Sequence, residues 1–163
     1  MKTRCYITNP KEYDKKDIIS LYKENRATLS IPFSRVFNAM INNPNFWILR
    51  DSNTNALIGM CGITLKPRKH EYELEHLVVA EKYRRNGYAK VLIYVCARFF
   101  TQKKHRLFTD LTLPVCAYAN FGADNNCFYD SIAISNSVVH KKTMDLLRYV
   151  IDIDKIEREV GTL

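Results

Sequence analysis

The chain has 163 residues, of which 47% are hydrophobic and 26% charged, and its formal net charge at pH 7 is +8. A chain of this length and composition can bury a sizeable core, which excludes the disordered class, and we expect residues 1–163 to form one domain. The positive charge favours anionic ligands, including nucleic acid, acidic protein surfaces and phosphorylated cofactors.

The cysteines indicate a reducing environment. They are odd in number, widely spaced and include no Cys-x-x-Cys pair: Cys5, Cys61, Cys96, Cys116 and Cys127. This pattern argues against a disulfide framework and against a zinc site. The first residues form no apolar signal segment, and the apolar stretch at residues 91–100 is too short to cross a bilayer. We therefore expect a soluble, cytoplasmic protein without a metal and without a membrane partner.

The first third of the chain alternates between strand and helix patterns. The sequence predicts a strand at residues 4–8, helices at 13–26 and 34–41, and strands at 45–50 and 56–65. Asp14 is the predicted N-cap of the first helix. Residues 51–55 read Asp-Ser-Asn-Thr-Asn, and such turn formers between two strands predict a hairpin.

Residues 71–100 form the most informative stretch. Glu71, Glu73 and Glu75 alternate with uncharged residues, which predicts a strand with opposite faces. His76 falls on the face opposite the carboxylates and is interpreted as structural. The alternation then gives way to a continuous apolar run, as in a strand covered on both faces, formed by Leu77, Val78 and Val79. From residue 88 the apolar residues recur at helical spacing, which predicts a helix.

A short basic turn joins this strand to this helix. It consists of Arg84, Arg85, Asn86, Gly87, Tyr88, Ala89 and Lys90. A helix that begins here presents unpaired N–H groups and the positive end of its dipole, which together favour an anion. Gly87 permits a positive φ and close approach of a ligand, and Ala89 keeps the first turn narrow. The arginines and the lysine add charge suited to phosphate, so the turn is predicted to bind a pyrophosphate.

The spacing Arg84-x-x-Gly87-x-Ala89 resembles the acyl-CoA signature of the GNAT superfamily of N-acetyltransferases, which is Gln/Arg-x-x-Gly-x-Gly/Ala on a strand-to-helix turn. The segment Glu-Lys-Tyr at residues 81–83 resembles the usual lead-in. Neither a Gly-x-Gly-x-x-Gly nor a Gly-Lys-Ser/Thr motif occurs in the sequence, which argues against Rossmann and P-loop sites. The resemblance implies an α/β fold with a mixed, mostly antiparallel twisted sheet of about six to seven strands flanked by helices.

The resemblance also implies acetyl-CoA as cosubstrate, bound by the turn 84–90 and by backbone N–H groups of residues 77–79 next to the thioester carbonyl. It implies a primary amine as the acceptor, and a protein lysine or N-terminus, an aminoacyl-tRNA and a small molecule are all compatible with the sequence. A lysine-like amine with a pKa near 10.4 is neutral in only about one molecule in 2,500 at pH 7, a cost of roughly 4.6 kcal/mol. Glu73 and Glu75 are the candidate bases for that proton, and Tyr129 is the candidate acid that protonates the leaving thiolate.

The C-terminal third permits two interpretations, after a strand predicted at 107–112. In the first, residues 125–130 form the helix that carries Tyr129. In the second, 131–135 is a strand, 136–147 is a helix and 149–152 is the last strand. The apolar alternation and the Ser135-Asn136 cap favour the second interpretation.

Two other functions are compatible with the sequence. One is a catalytically inactive acyl-CoA-binding module. The other is a basic nucleic-acid-binding or inhibitor protein, since lysine and arginine also cluster at residues 66–70 and 103–106. The sequence is compatible with a monomer or a homodimer.

Overall fold

A computed structural model describes residues 3–25, 33–102, 105–106, 113–121 and 126–161. The strands are β1 (Cys5–Thr8), β2 (Phe46–Asp51), β3 (Leu57–Lys66), β4 (Glu71–Val79), β5 (Thr101–Gln102), β6 (His105–Arg106), β7 (Val115–Asn120), β8 (Ala133–His140) and β9 (Asp145–Ile151). The helices are α1 (Lys15–Glu24), α2 (Phe33–Asn42), α3 (Tyr88–Arg98), α4 (Asn126–Ile132) and α5 (Ile153–Val160).

Seven of the strands form one sheet in the order β1-β2-β3-β4-β7-β9-β8. All neighbours in it are antiparallel except β4 and β7, which are parallel. The predicted mixed, mostly antiparallel sheet is therefore confirmed, as is the hairpin of β2 and β3. The parallel pair requires a crossover, and α3 provides the helical part of that connection.

Helices cover both faces of the sheet. On one face, Ile18 of α1 and Phe37 of α2 pack against Met60 of β3, and all three are at most 2% exposed. On the other face, Leu92 of α3 and Ile156 of α5 belong to a second buried cluster. Because side chains alternate along a strand, β4 directs residues to both clusters, and this makes it the central strand.

Asp14 stands at the N-cap position of α1, but the predicted capping bond is absent. Its side chain accepts a hydrogen bond from the Lys11 N–H at 2.7 Å and lies 2.6 Å from the guanidinium of Arg50. Asp14 is 2% exposed and Arg50 4% exposed, so this ion pair is buried. Removal of one partner from such a pair lowers the free energy of unfolding by about 3–5 kcal/mol. The pair therefore fixes the start of α1 to β2.

The C-terminal third combines parts of both interpretations. The helix that carries Tyr129 is present as α4, in agreement with the first. The helix predicted at 136–147 is wrong, because these residues form most of the β8–β9 hairpin, in which Val138 lies opposite Leu147. Apolar side chains recur at every second position of β9, at Leu147, Tyr149 and Ile151. This period of two is typical of a strand and does not fit a helix. Helix α5 was not predicted, and the strand predicted at 107–112 lies outside the described residues.

Candidate active site

A bulge interrupts the pairing of β4 with β3. The register shifts so that His76 and Leu77 together lie opposite the single residue Cys61. His76 has a positive φ of 53°, a conformation that costs a non-glycine residue about 1–3 kcal/mol. Such a bulge interrupts the ladder at Leu77, and pairing with β3 resumes at Val78 and Val79, which lie half buried opposite Met60 and Gly59. The irregularity therefore falls directly before the apolar end of β4.

The sheet opens next to the bulge. Within the described ranges, β4 and β7 pair at two positions, Tyr72 with Val115 and Glu73 with Cys116, whereas β3 pairs with β4 over most of its length. After Glu73 no described residue of β7 pairs with β4, so the edge of β4 that faces β7 has no strand partner there, and we refer to this gap in the pairing as the opening. An extended ligand can enter such an opening and hydrogen-bond the exposed strand edge, as an added strand does.

The turn after β4 has the backbone geometry of an anion site. Arg85 and Gly87 have positive φ values of 63° and 85°. Gly87 is the N-cap of α3, and the carbonyl of Gly87 accepts from the Val91 N–H at 3.2 Å. The N–H groups of the three residues after Gly87 have no carbonyl acceptor within the helix, because no helical turn precedes them. These N–H groups therefore point out of the helix, at the positive end of its dipole. Tyr88 and Ala89 lie half buried in this first turn.

Two of the three basic side chains predicted for this turn already have partners. Arg84 donates from Nε to the Val79 carbonyl at 3.0 Å and from its guanidinium to Oδ1 of Asn25, at the end of α1. Lys90 places Nζ 2.5 Å from Oε2 of Glu159 on α5. These bonds attach the turn to α1 and α5 on either side and hold its shape.

Arg85 is the basic residue of the turn that remains available to a ligand. Its side chain is exposed and forms no hydrogen bond or ion pair with another residue in the described part of the chain. Asn86 stabilises the loop around it, since its amide donates to the carbonyls of Tyr83 and Arg84, both at 3.0 Å. The turn therefore presents one guanidinium and several backbone N–H groups, a donor set that fits a diphosphate.

The two candidate bases lie side by side on one face of β4. Lys66 of β3 lies between them, with Nζ 3.6 Å from Glu73 and 3.1 Å from Glu75. Thr64 also donates its hydroxyl to Glu75 at 3.1 Å. Burial opposes the charge of Lys66, but the bonds to Glu75 and Glu73 outweigh it and raise the pKa of the ammonium. Both carboxylates are thus ordered next to the bulge and are partly exposed.

His76 lies on the same face as Glu75, and its predicted position on the opposite face is wrong. Its ring centroid is 6.0 Å from that of Tyr22 on α1 and 6.4 Å from that of Phe46 on β2. Phe46 lies opposite Gly62, which in turn lies opposite Glu75, so these side chains share a face. The additional residue of the bulge shifts the alternation by one. Burial lowers the pKa of His76, so its imidazole is neutral at pH 7.

Tyr129 occupies the middle of α4 and is 5% exposed. Its ring stacks on Tyr149 of β9 at a centroid distance of 5.3 Å and contacts Phe128 at 5.6 Å. Burial raises the pKa of Tyr129, and the neighbouring Cys61 adds to this effect. The hydroxyl therefore stays protonated at neutral pH, as an acid requires. Cys61 also lies opposite the bulge, so α4 reaches the same region of the sheet.

A buried polar cluster near the start of β4 was not predicted. Glu71 is 2% exposed, accepts a hydrogen bond from the Tyr118 hydroxyl at 2.6 Å and lies 3.4 Å from Nε of Arg148. Burial opposes the charge of Glu71, but bonds from Cys116 and Tyr118 outweigh it and lower the pKa of the carboxyl. The same burial, with the adjacent carboxylate, raises the pKa of Cys116 to about 12. The members of the cluster lie on three strands distant in sequence, β4, β7 and β9, so no local pattern indicates it.

The residues that the structure describes include neither a group of metal ligands nor a helix suited to cross a membrane. No three His, Cys, Asp or Glu side chains come together as ligands for a metal ion. No helix in these ranges has both the length and the apolar character that a membrane crossing needs.

The sequence matches the family model described as Acetyltransferase (GNAT) family over residues 14–126. No curated protein sequence matches the chain. Among solved structures, a GNAT acetyltransferase from Bacillus cereus is similar at a TM-score of 0.64 and 13% identity, covering 90% of this chain and 95% of the other. Diaminobutyrate acetyltransferase from Paenibacillus lautus, with L-2,4-diaminobutyric acid and coenzyme A, has a TM-score of 0.63 and 13% identity over 93% and 97%. PaiA N-acetyltransferase from Thermoplasma acidophilum, with coenzyme A, has a TM-score of 0.63 and 11% identity over 91% and 99%.

Proposed function

Because the chain belongs to the GNAT family of acetyltransferases, we propose that this acetyl-CoA-dependent enzyme acetylates a primary amine at the opening between β4 and β7. The family match spans residues 14–126 and includes β4, the basic turn and α3. The observation that carries the proposal is the combination of a bulged strand and a helix with a positive-φ glycine at its N-cap in one continuous unit. The bulged strand of this unit suits an acyl group, and the N-terminus of its helix suits a diphosphate.

Acetyl-CoA supplies a reactive thioester when bound, and the residues of β4 and the turn fit its two ends. The first-turn N–H groups of α3 and the guanidinium of Arg85 suit the diphosphate. The backbone at Leu77, Val78 and Val79 suits the thioester carbonyl, because the described part of β7 pairs with β4 no further than Glu73 and N–H groups on that edge can stabilise a developing negative charge. Arg84 and Lys90 have a structural role in this proposal, because their bonds hold the turn in place between α1 and α5.

The acceptor amine must lose a proton before it can attack. Glu75 is the favoured base because it directly precedes the bulge and its side chain is 32% exposed, against 21% for Glu73. Lys66 and Thr64 fix the orientation of Glu75. A carboxylate in this position accepts the amine proton directly or through one water molecule, which typically accelerates such a step by about 10²–10⁴-fold.

Tyr129 is the proposed donor of a proton to the departing thiolate. Its hydroxyl is protonated at neutral pH, as in any tyrosine, and burial raises its pKa further. The stacking on Tyr149 restricts the ring to one orientation, which a proton donor needs for efficient transfer.

The acceptor is proposed by class. The fold also resembles that of the NatC complex bound to a Gag peptide, at 14% identity, and that of an enzyme with bound L-2,4-diaminobutyric acid. Peptide amines and small diamines are therefore suitable first acceptors to test. We further propose that residues 1–163 act as one domain in the cytoplasm, in keeping with five cysteines that are all free thiols.

The test is a pH–rate profile measured with a panel of peptide and small amines, by release of free thiol from acetyl-CoA. Glu75→Gln is expected to lower kcat/KM about 100-fold at pH 7 and less at higher pH, where the amine loses its proton unaided. Glu81→Gln removes an exposed carboxylate outside the opening and serves as the control. Normal profiles for both Glu75→Gln and Glu73→Gln would exclude these two carboxylates as the base. Tight binding of acetyl-CoA without transfer to any amine would instead indicate an inactive module.

A further inference from the structure

The face of the sheet that carries Glu73 and Glu75 continues beyond β4 onto β7 and β9. Cys116 of β7 lies opposite Glu73, and Tyr118 follows two residues further along β7. Arg148 of β9 lies opposite Tyr118. Because paired residues point to the same side of a sheet, these side chains share the face of the two candidate bases. The part of this face next to the candidate bases is therefore formed by β7 and β9.

This part of the face carries an excess of positive charge. We call it the basic group, and it consists of Glu71, Arg148 and Lys69 around the ring of Tyr118. The Tyr118 hydroxyl donates to Glu71 at 2.6 Å, and Nε of Arg148 lies 3.4 Å from the same carboxylate. Nζ of the exposed Lys69 lies 4.7 Å from the centre of the Tyr118 ring. Two cations and one carboxylate give the basic group a net charge of +1.

The candidate bases form a group with the opposite excess. In this acidic group, Lys66 lies between Glu73 and Glu75, and two carboxylates with one ammonium have a net charge of −1. Glu71 of the basic group and Glu73 of the acidic group are two residues apart on β4, a distance of about 7 Å along a strand. One face of the sheet thus presents an acidic and a basic group side by side.

The guanidinium of Arg148 has donors left for a ligand. Its contact with Glu71 is made through Nε at 3.4 Å, longer than the roughly 2.7–2.9 Å of a charge-assisted hydrogen bond. Glu71 therefore does not occupy the guanidinium fork, whose planar N–H groups suit a carboxylate. The Arg148 side chain is 25% exposed, and Ser137 of β8, which lies opposite Arg148, is exposed as well. Arg148 can thus be reached from solvent on this face.

We infer that the acceptor is a small amine of the amino-acid type, whose reacting amino group lies at Glu75 and whose carboxylate is bound by Arg148. The inference rests on the proposed function, because it places the acceptor amine at the proposed base. The acidic group attracts the ammonium of such an acceptor, and the basic group attracts its carboxylate. Diamino acids suit the face, because several bonds separate their side-chain amino group from the carboxylate. Arg148 thereby determines specificity and takes no part in the transfer of the acetyl group or of the proton.

A comparison of amino acids with their amides tests the inference. Acetyl transfer to L-lysine and L-ornithine is measured against transfer to their primary amides, which keep both amino groups and lack the carboxylate. The wild type is expected to have a kcat/KM about 10–100-fold higher for the acid, the range for a hydrogen bond to a charged group. Arg148→Met should bring the ratio of acid to amide close to that of the uncatalysed reaction. A purely structural role of Arg148 would lower both rates by the same factor and leave this ratio unchanged.

Three further variants separate recognition from folding. Arg148→Lys keeps the charge but lacks the fork and should retain part of the preference for the acid. Lys69→Met removes an exposed cation from the basic group and should lower the preference a few-fold without loss of folding. Arg98→Met is the matched control, because it breaks ion pairs with Asp154 and Glu157 between α3 and α5. Its preference should equal that of the wild type.

The outcomes separate this inference from the proposed function. Equal kcat/KM values for acid and amide in the wild type, or a preference that Arg148→Met retains, would overturn the inference and leave the proposed function intact. Transfer to peptides, proteins or aminoacyl-tRNA but to no free amino acid would likewise overturn it. The absence of transfer to any amine, in a chain that binds acetyl-CoA, would overturn the proposed function and the inference with it.

Discussion

Substitution of Gly87 separates the backbone requirement of the turn from its charge. Gly87 has a φ of 85° and is the N-cap of α3. Gly87→Ala adds one methyl group in a left-handed conformation, which costs about 1–2 kcal/mol of stability. Gly87→Glu adds the same strain and also a carboxylate where the diphosphate is proposed to bind. The difference between the two variants therefore excludes the backbone strain that they share, and its dependence on ionic strength identifies the part due to charge.

The magnitude follows from Coulomb's law. A negative charge about 5 Å from a phosphate costs about 3 kcal/mol at an effective dielectric constant of about 20. This corresponds to an increase in the Kd for acetyl-CoA of roughly 100-fold from Gly87→Ala to Gly87→Glu. Added salt screens exposed charges, so the difference between the two variants should shrink as the ionic strength rises.

Isothermal titration calorimetry with acetyl-CoA measures both affinities, and circular dichroism checks that each variant is folded. Gly161→Glu is the matched control. Gly161 follows α5 with a φ of −62°, and an added Cβ there would meet its nearest atom at an ordinary 3.5 Å. The affinity of the Gly161→Glu variant for acetyl-CoA should equal that of the wild type. Equal Kd values for folded Gly87→Ala and Gly87→Glu would refute the reasoning, because the turn would then not face an anion.

Two further predictions concern the opening and the buried cluster. Tyr129→Phe should lower kcat about 100-fold in steady-state kinetics and leave the affinity for acetyl-CoA unchanged. Tyr149→Phe alters the ring that stacks on Tyr129 and should have only a small effect on kcat. An unchanged kcat for Tyr129→Phe would exclude Tyr129 as the acid. Arg148→Met should lower the free energy of unfolding by roughly 2–3 kcal/mol at pH 7, less than for a fully buried pair because Arg148 is 25% exposed. Since bonding lowers the pKa of Glu71 in the folded state, this stabilisation is present at neutral pH and is lost as the pH falls through that pKa. Urea titrations should thus show the difference shrinking below about pH 4, and a constant difference would contradict the assignment.

The sequence predicted the strand, turn and helix of the candidate site well because their signals are local. The alternating glutamates, the apolar run and Gly87 lie within one short stretch, and each constrains its own backbone conformation. The face predicted for His76 was wrong because that prediction, too, used only local signals. A strict period of two assigns faces only while the register is unbroken, and a bulge inserts a residue without a recognisable local signal.

Other features depend on residues that are far apart in the chain. Arg84 was predicted as a ligand for phosphate, and its bonds to Val79 and Asn25 are visible only in the fold. The pairing of Glu71 with Tyr118 and Arg148 likewise joins three strands. The hairpin of β8 and β9 was interpreted partly as a helix because a short apolar pattern fits both periods until the pairing partner is known.

Amide chemical shifts give the most direct test of the proposed site. A ¹H–¹⁵N spectrum of the labelled protein is recorded during titration with acetyl-CoA. We predict that the largest shifts occur at residues 77–79, next to the bulge, and at residues 85–90, in the turn and the first turn of α3. Shifts of the same size confined to other parts of the chain, with these two segments unchanged, would contradict the claim that the bulged strand and its following helix hold the cosubstrate.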